Sequence, residues 1–210
     1  MKILVADDHA LFRKGLVQAI AEEYPDAQFS EASTTSEALE CLSRECFDLL
    51  VLDVFMPGRS GLEALQDVRR YHPNLPVLVL SSAPEQQMAL RVLKAGASGY
   101  LCKQAAAERL AEAISRVLAG GKYVSAALAE RLASDLSTNA RPAHETLSNR
   151  ELQILHLLVA GRSIKEVAAE LCLSPKTVST FHTRVWQKLG VRSDVELVLY
   201  AQEHGLKADG

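Results

Sequence analysis

The sequence has few aromatic residues, few cysteines and no long apolar run. Aromatic residues make up only 5% of the 210, but 48% are hydrophobic, which supports real cores and excludes wholesale disorder. The four cysteines show no C-x-x-C spacing, so we expect buried, reduced thiols and neither a disulfide framework nor a zinc site. No segment approaches the roughly 18 consecutive apolar residues of a membrane span.

The sequence also lacks an excess of positive charge. The formal net charge is −3, from 23 basic and 26 acidic side chains, so any binding of DNA must come from the local placement of charge. The N-terminal text MKILVADDH has four consecutive apolar residues before two aspartates, which is too short for the core of a signal peptide. We therefore expect a soluble, cytoplasmic protein.

Residues 1–120 alternate short apolar runs with amphipathic stretches. Apart from a weaker run at Gln28–Ala32, these runs are apolar at consecutive positions, which is typical of strands buried on both faces. The predicted strands are Ile3–Ala6, Gln28–Ala32, Leu49–Leu52, Val77–Leu80 and Tyr100–Cys102. The predicted helices are Leu11–Glu22, Ser36–Glu45, Leu62–Tyr71, Gln86–Ala95 and Ala105–Ala119. This pattern predicts an α/β domain, a doubly wound (βα)5 parallel sheet with right-handed crossovers and helices on both faces.

The pattern changes after residue 120. A helix is predicted from Ser125 to about Leu136, and the polar segment Ser137–Glu145 contains Pro142 and is typical of a linker. From Leu147 onward only helical patterns occur. The sequence therefore predicts two domains, an α/β domain at 1–120 and a small all-α domain at 146–210, joined by a linker helix and flexible linker at 121–145.

Polar residues follow four of the predicted strands. They are Asp7-Asp8, Asp53, Ser81 and Lys103. Alone, each aspartate is explained as a helix cap and the lysine as a solvated charge. In a parallel sheet, however, the carboxyl ends of the strands meet at one edge, where reactive sites lie. Three carboxylates there suit a hard divalent cation such as Mg²⁺.

These residues together suit phosphoryl transfer. A cation beside Asp53 keeps its carboxylate ionised and able to attack phosphorus, which forms an aspartyl phosphate. Lys103 supplies countercharge to the transferred group, and Ser81 supplies a hydroxyl donor. An alternative is a hydrolase that acts on free phosphomonoesters. Phe55 argues against it, because the common aspartyl phosphatases carry a second acidic residue at that position.

Residues 1–120 resemble the receiver domain of two-component response regulators. The matching text is LVADDH, LLVLDVFMPGRSGLEAL, LPVLVLSS and AGASGYLCK. The resemblance implies that Asp53 is the phosphoacceptor, and that Asp7, Asp8 and the backbone carbonyl of Phe55 join it in holding Mg²⁺. It further implies that Ser81 and Tyr100 are switch residues and that Lys103 contacts the phosphoryl group.

The C-terminal half contains a helix-turn-helix pattern. A first helix, Asn149–Ala160, follows the capping box of Ser148 and Glu151. A second helix, Ile164–Leu171, leads through a tight turn to Ser174-Pro175, an N-cap followed by proline at the first helical position. The third helix runs to about Leu189, and this geometry is the one that enters a major groove.

The third helix has one apolar and one polar face. The apolar stripe contains Val178, Phe181, Val185 and Leu189. The polar face contains Lys176, Ser179, Thr180, Thr183, Arg184 and Gln187. Lysine and arginine neutralise phosphates, and hydroxyls suit phosphates or base edges. The pattern alone leaves a second interpretation open, in which the polar face is the solvated side of an ordinary bundle.

The text from LSNRELQ to QKLGV resembles the LuxR-type helix-turn-helix, and the whole chain resembles response regulators of the NarL/FixJ type. The resemblance implies that Ser179, Thr180 and Thr183 face bases. It implies phosphate contacts by Lys165, Lys176, Thr177, Arg184 and Lys188. The last predicted helix, Asp194–His204, matches the dimerisation helix of the family, with Val195, Val198 and Leu199 as its apolar face.

We therefore expect a transcriptional regulator switched by phosphorylation. Its expected partners are a sensor histidine kinase, double-stranded promoter DNA and a second copy of the chain, with no membrane. It is not expected to be a turnover enzyme, although it accepts a phosphoryl group and autodephosphorylates. The alternative is a phosphoreceiver signalling module whose C-terminal bundle binds a protein instead of DNA.

Phe55 places a bulky ring two residues after the expected phosphoacceptor. If the ring hinders the water that hydrolyses the acyl phosphate, Phe55→Asn shortens the half-life of the phosphoprotein. The decay of the phosphorylated protein in Mg²⁺-containing buffer measures this half-life. An unchanged or longer half-life would show instead that the ring packs on the loop for structural reasons.

Overall fold

The apolar runs of the N-terminal half form five parallel strands. The computed structural model describes residues 1–56, 60–83, 85–125, 128–129 and 143–206. The strands are β1 (Lys2–Ala6), β2 (Gln28–Ala32), β3 (Leu49–Asp53), β4 (Val77–Ser81) and β5 (Gly99–Cys102). Their order in the sheet is β2-β1-β3-β4-β5, and each neighbouring pair is parallel. The predicted fold class is confirmed.

Helices cover both faces of this sheet. They are α1 (Ala10–Glu23), α2 (Thr35–Arg44), α3 (Gly61–Tyr71), α4 (Glu85–Lys94) and α5 (Ala106–Leu118). Ile20 of α1 and Ile114 of α5 share one apolar cluster with Val5 and Val51 of the sheet. Leu4 and Leu50 precede those valines in β1 and β3, so their side chains lie on the opposite face of the sheet, and both are completely buried. Burial on both faces explains why β1, β3 and β4 are apolar at consecutive positions, whereas the edge strand β2 is mostly polar and only its last residue is buried.

Four of the strands are one residue longer than the predicted runs, β1 and β5 at the N-terminal end and β3 and β4 at the carboxyl end. Asp53 is the last residue of β3, and Ser81 is the last residue of β4. Both residues are almost completely buried. Asp53 pairs in register with Leu80, and Ser81 pairs with Cys102, so the polar residues lie at the same carboxyl edge of the sheet.

The segment after α5 extends the sheet beside β5. Tyr123 forms an isolated parallel bridge with Gly99. Its N–H donates to Ser98 O at 3.0 Å, and its carbonyl accepts the Tyr100 N–H at 3.1 Å. Glu85 of α4 accepts the Ser125 N–H at 3.1 Å. The apolar-run analysis does not predict this pairing, because the segment is short and contributes one bridge.

The C-terminal half folds into helices with well-defined N-terminal caps. They are α6 (Asn149–Val159), α7 (Ile164–Glu170), α8 (Pro175–Leu189) and α9 (Asp194–Glu203). Serine side chains cap all four helices, and α6 and α7 have complete capping boxes. Ile154, Val167, Leu171 and Val178 form the apolar cluster that holds α6, α7 and α8 together.

The chain divides into two units, Met1–Arg131 and Leu132–Gly210. The predicted helix Ser125–Leu136 and the predicted linker Ser137–Glu145 lie mostly outside the described residues, so those boundaries stay predictions. Within the described ranges, no helix has the length and apolar character needed to span a bilayer.

The four cysteines are free thiols, but the prediction that they are buried is wrong. Cys46 and Cys172 are exposed, and Cys41 and Cys102 are half-buried. Cys172 has a φ of 52°, which places it at the left-handed residue of the tight turn between α7 and α8. Apolar residues near these cysteines are buried, but the turn that contains Cys172 faces solvent.

Gly61 allows α3 to begin directly against the end of β3. A Cβ atom at Gly61 would lie 2.6 Å from the backbone oxygen of Asp53 and 2.6 Å from Val54 Cα. We expect Gly61→Ala to lower the free energy of unfolding by about 1–3 kcal/mol, because the backbone must shift to admit the methyl group. Urea denaturation measures the change.

Gly15, in the exposed middle of α1, provides the matched control. A Cβ atom there meets nothing within 4 Å. Gly15→Ala is expected to raise the free energy of unfolding by about 0.5–1 kcal/mol, because alanine loses less backbone entropy in a helix. Equal effects of the two substitutions would contradict the steric argument.

Candidate functional site

A single lysine joins two buried carboxylates at the carboxyl edge of the sheet. The Lys103 ammonium lies 2.7 Å from Asp7 Oδ2 and 2.7 Å from Asp53 Oδ2. The two aspartate side chains are 1% and 2% exposed. Since β1, β3 and β5 run parallel, residues that are far apart in sequence end at the same point.

The remaining carboxylate oxygens accept local backbone hydrogen bonds. Asp53 Oδ1 accepts the Phe55 N–H at 2.9 Å, and Asp7 Oδ1 accepts the His9 N–H at 2.8 Å. Asp8 is more exposed, and its Oδ1 lies 2.8 Å from His9 Nδ1. Each buried carboxylate therefore keeps a fixed orientation.

Burial dominates the electrostatics of this cluster. It raises the pKa of the Asp53 carboxyl to about 6, although the Lys103 ammonium opposes the shift. Burial lowers the pKa of Lys103, but the attraction of Asp53 and Asp7 outweighs it, and the pKa of Lys103 is raised overall. One ammonium therefore leaves the carboxylates incompletely compensated.

The donor set fits a divalent cation. One oxygen from each of Asp7, Asp8 and Asp53, together with a His9 nitrogen, can be chosen so that all lie within 4.8 Å of one another. Oxygen-rich sites with excess negative charge suit hard cations. The predicted role of the Phe55 carbonyl stays a prediction, although the Phe55 N–H contact brings that backbone to the edge of the cluster.

Ser81 and Tyr100 meet at one loop residue. The backbone N–H of Ala83 donates to Ser81 Oγ at 3.0 Å, and the Tyr100 hydroxyl donates to the Ala83 carbonyl. Tyr100 is 1% exposed, and burial raises the pKa of its phenol. Ala83 therefore links the two predicted switch residues, a contact that the sequence pattern does not indicate.

Three residues that support the acidic cluster were not among the predicted site residues, namely His9, Phe12 and Arg13. His9 contacts Asp8, and its position directly after the aspartate pair was an available signal. Phe12 has its ring 4.8 Å from Lys103 Nζ, and the guanidinium of Arg13 donates to the Asp7 carbonyl at 2.6 Å. The contacts of Phe12 and Arg13 depend on how α1 packs, and no spacing in the sequence predicts them.

In the C-terminal unit, α8 presents its predicted polar face to solvent. Ser179, Thr180, Thr183 and Arg184 are exposed, as is Lys176. Thr177 is half-buried, and its hydroxyl lies 2.8 Å from Ser174 Oγ at the start of the helix. Lys165 is exposed on the neighbouring helix α7.

The exposed hydroxyls of α8 donate to their own helix. Ser179, Thr180 and Thr183 each donate to the carbonyl four residues earlier at 3.0 Å. Their oxygen lone pairs therefore face outward as acceptors, which suits the amino groups of adenine and cytosine.

Lys188 differs from the other predicted phosphate contacts. Its ammonium lies 2.6 Å from Glu151 Oε2 in α6. The sequence predicts only the capping-box role of Glu151, because a partner 37 residues away leaves no local signal.

The predicted dimerisation residues lie on the outer side of α9. Val195 is 70% exposed and Leu199 is 52% exposed, whereas Val198 is half-buried. The opposite side of α9 buries Leu197 and Ala201. A side-chain hydrogen bond between His182 Nε2 and Asp194 Oδ1, 2.7 Å apart, joins α8 to α9.

Comparisons with known proteins match both units. The family model for the response regulator receiver domain matches residues 3–115, and the model for bacterial regulatory proteins of the luxR family matches residues 145–201. The chain belongs to the NarL/FixJ family of response regulators.

Relatives match this response regulator over nearly its whole length. Response regulator GacA of Pseudomonas syringae pv. syringae is 37% identical over 98% of this chain and 97% of its own. Response regulator UvrY of Escherichia coli is 33% identical over 98% of this chain and 95% of its own. RcsB from Salmonella enterica serovar Typhimurium, solved bound to promoter rprA with the phosphomimetic BeF3−, has a TM-score of 0.67 and 25% identity over 96% of this chain and 98% of its own.

Family membership gives this response regulator a receiver domain followed by a LuxR-type DNA-binding domain, and with them a role in transcription regulation. The acidic cluster lies in the receiver match, and α6 to α8 lie in the luxR match. The acidic cluster is therefore part of the receiver domain, and the polar face of α8 is part of the DNA-binding domain.

The raised pKa of Asp53 predicts a pH-dependent stability of the metal-free response regulator. The folded protein holds the Asp53 proton up to about pH 6, whereas the unfolded chain releases it near the ordinary value of 3.8. Stability therefore falls as the pH rises from about 4 to about 6, and the loss is complete above pH 6.

Asp53→Asn removes the ionisable group, so its Tm should exceed that of the wild type at pH 8 by several degrees. The difference should shrink as the pH falls through 6. Thermal denaturation in EDTA-containing buffer measures it, with Asp26→Asn at an exposed loop position as the control for losing one carboxylate. A Tm difference that is constant from pH 4 to pH 8 would contradict the prediction.

Proposed function

We propose that this regulator accepts a phosphoryl group on Asp53 from a sensor histidine kinase and that phosphorylation controls its binding to promoter DNA through α8. The observation that carries the proposal is the Lys103 ammonium, held 2.7 Å from both Asp7 and Asp53. This arrangement keeps a nucleophilic carboxylate and a countercharge together before the phosphoryl group arrives.

In the transfer step, an Asp53 carboxylate oxygen attacks phosphorus on the phosphohistidine of the kinase. The new O–P bond forms as the P–N bond breaks, and the histidine nitrogen leaves with the bonding electron pair. Asp7, Asp8, Asp53 and the Phe55 carbonyl would hold Mg²⁺. When bound, Mg²⁺ supplies positive charge that offsets the charge on the phosphoryl oxygens.

The same residues then respond to the phosphoryl group. Lys103 exchanges its contact with Asp53 Oδ2 for a phosphoryl oxygen, and the Ser81 hydroxyl donates to another. Ser81 and Tyr100 both contact Ala83, so a movement of Ser81 displaces the loop that holds the Tyr100 hydroxyl. The surface around α4 and α5 changes as a result, which biases a two-state equilibrium.

The output is binding of α8 in the major groove. Ser179, Thr180 and Thr183 present acceptor oxygens to base edges, while Lys176 and Arg184 neutralise phosphates. If each monomer makes three to four phosphate contacts, a dimer makes about 6–8, and affinity falls steeply with salt.

The exposed apolar side chains of α9 support a homodimer. Val195 and Leu199 are more than half exposed on a helix whose other side is packed. Apolar side chains grouped on one surface mark interaction sites. A two-fold symmetric dimer would bind paired half-sites about one helical turn apart.

The likeness to RcsB supports this proposal, since that protein was solved on promoter DNA with a phosphomimetic. We further infer that the regulator acts in the cytoplasm, where a kinase and DNA are both accessible. It is not a turnover enzyme, because Phe55 stands two residues after Asp53 in place of the acidic group that a phosphatase needs.

Selection from a pool of random duplex DNA tests input and output together. The wild type is used before and after treatment with acetyl phosphate and Mg²⁺, beside Asp53→Asn treated in the same way. We expect a two-fold symmetric motif whose enrichment strengthens only in the phosphorylated wild type, because the variant cannot form the acyl phosphate.

The other outcomes separate the alternatives. Equal binding in all samples would show that the protein binds DNA but that phosphorylation does not regulate this binding. No enrichment in any sample would favour a signalling module whose C-terminal bundle binds a protein. Turnover of a chromogenic phosphate ester would favour a hydrolase.

A further inference from the structure

Lys188 and Glu151 form a partly buried ion pair between α8 and α6. Lys188 Nζ lies 2.6 Å from Glu151 Oε2 and 3.4 Å from the Thr146 carbonyl. The Glu151 side chain is 4% exposed, whereas that of Lys188 is 39% exposed. The resemblance alone implies that Lys188 contacts DNA phosphate, yet its ammonium is directed towards the protein.

One oxygen atom of Glu151 takes part both in the ion pair with Lys188 and in the cap of α6. Oε2 also accepts the backbone N–H of Ser148 at 2.6 Å, which completes the capping box of α6. Burial raises the pKa of the Glu151 carboxyl, but hydrogen bonds from Lys188 and Ser148 outweigh it, and the pKa is lowered. The carboxylate is therefore charged at neutral pH, and Lys188 is its counterion.

Apolar packing and the ion pair hold α8 in different ways. Val178 near the start of α8 and Val185 and Leu189 near its end are buried. Apolar contacts are non-directional and permit small rotations about the helix axis. A short hydrogen-bonded charge pair fixes direction as well as distance.

We propose that Lys188 is a positioning residue that sets the rotation of α8 through Glu151, and that it is not a phosphate contact. The inference rests on the proposed binding of DNA by α8. An error in rotation would displace Ser179, Thr180 and Thr183 together, because all three extend from the same helix. Arg184, which is exposed on α8, keeps its role as a phosphate contact.

Salt dependence separates positioning from phosphate contact. A lysine that neutralises one phosphate in each monomer adds about 0.9 per contact to the slope of log affinity against log salt. A lysine that only orients the helix changes affinity at every salt concentration and leaves the slope unchanged. Lys176, exposed on the same helix, is the matched control.

The experiment measures affinity for the selected duplex at several salt concentrations, well below the Tm of each variant. Lys188→Met should weaken binding roughly tenfold with an unchanged slope. Lys176→Met should make the slope less steep by about 2 for a dimer, one contact for each monomer. Lys188→Arg should retain wild-type binding, because the guanidinium keeps the ion pair.

Two variants of Glu151 make the test independent of the folding of Lys188→Met. Glu151→Gln leaves Lys188 without its counterion and should weaken binding, whereas a phosphate-contacting lysine would then bind equally well or better. The double variant Glu151→Gln, Lys188→Met should bind more tightly than Lys188→Met alone, because no buried charge is left unpaired.

The remaining outcomes overturn the inference. If Lys188→Met makes the slope of log affinity against log salt less steep by as much as Lys176→Met does, Lys188 is a phosphate contact. A lowered Tm with wild-type affinity in the folded variants identifies a structural role only. A wild type that selects no duplex overturns the proposed function and the inference with it, whereas either of the first two results overturns the inference alone.

Discussion

Lys103 provides one ammonium for a cluster of carboxylates at the carboxyl edge of a parallel sheet. Two of its partners, Asp7 and Asp53, are almost completely buried, and ionised carboxylates are costly to bury without full compensation. The folded protein therefore retains a local excess of negative charge. That excess is a cost to stability, and it is also the property that makes the cluster suitable for a divalent cation.

The parallel sheet is what makes this cluster possible. Asp53 ends β3 and Ser81 ends β4, so both reach the same edge as the residues that follow β1 and β5. The close approach of Gly61 to Asp53 and Val54 brings the start of α3 against that edge. Ala83 then connects Ser81 to Tyr100, so hydrogen bonds join the end of β4 to β5.

In the C-terminal unit, local capping fixes the start of each helix, and the ion pair between Lys188 and Glu151 joins α8 to α6. Ser148 and Glu151 begin α6 by a short-range pattern, and Ser174 does the same for α8. Glu151 then serves a second, long-range purpose by pairing with Lys188. A residue that starts one helix thereby orients the helix that presents Ser179, Thr180 and Thr183.

The sequence by itself determined the elements and their order. Apolar runs identified the strands to within one residue at each end, and the Ser148-x-x-Glu151 and Ser174-Pro175 signals identified the starts of α6 and α8, because these patterns are local. The grouping of Asp7, Asp8, Asp53 and Lys103 also followed, since parallel strands must end at one edge. Only the tertiary structure decided which atoms meet: Phe12 beside Lys103, Ala83 between Ser81 and Tyr100, Tyr123 beside β5, and Glu151 on Lys188. Those contacts join distant parts of the chain, and their geometry depends on how whole helices pack, which no local spacing encodes.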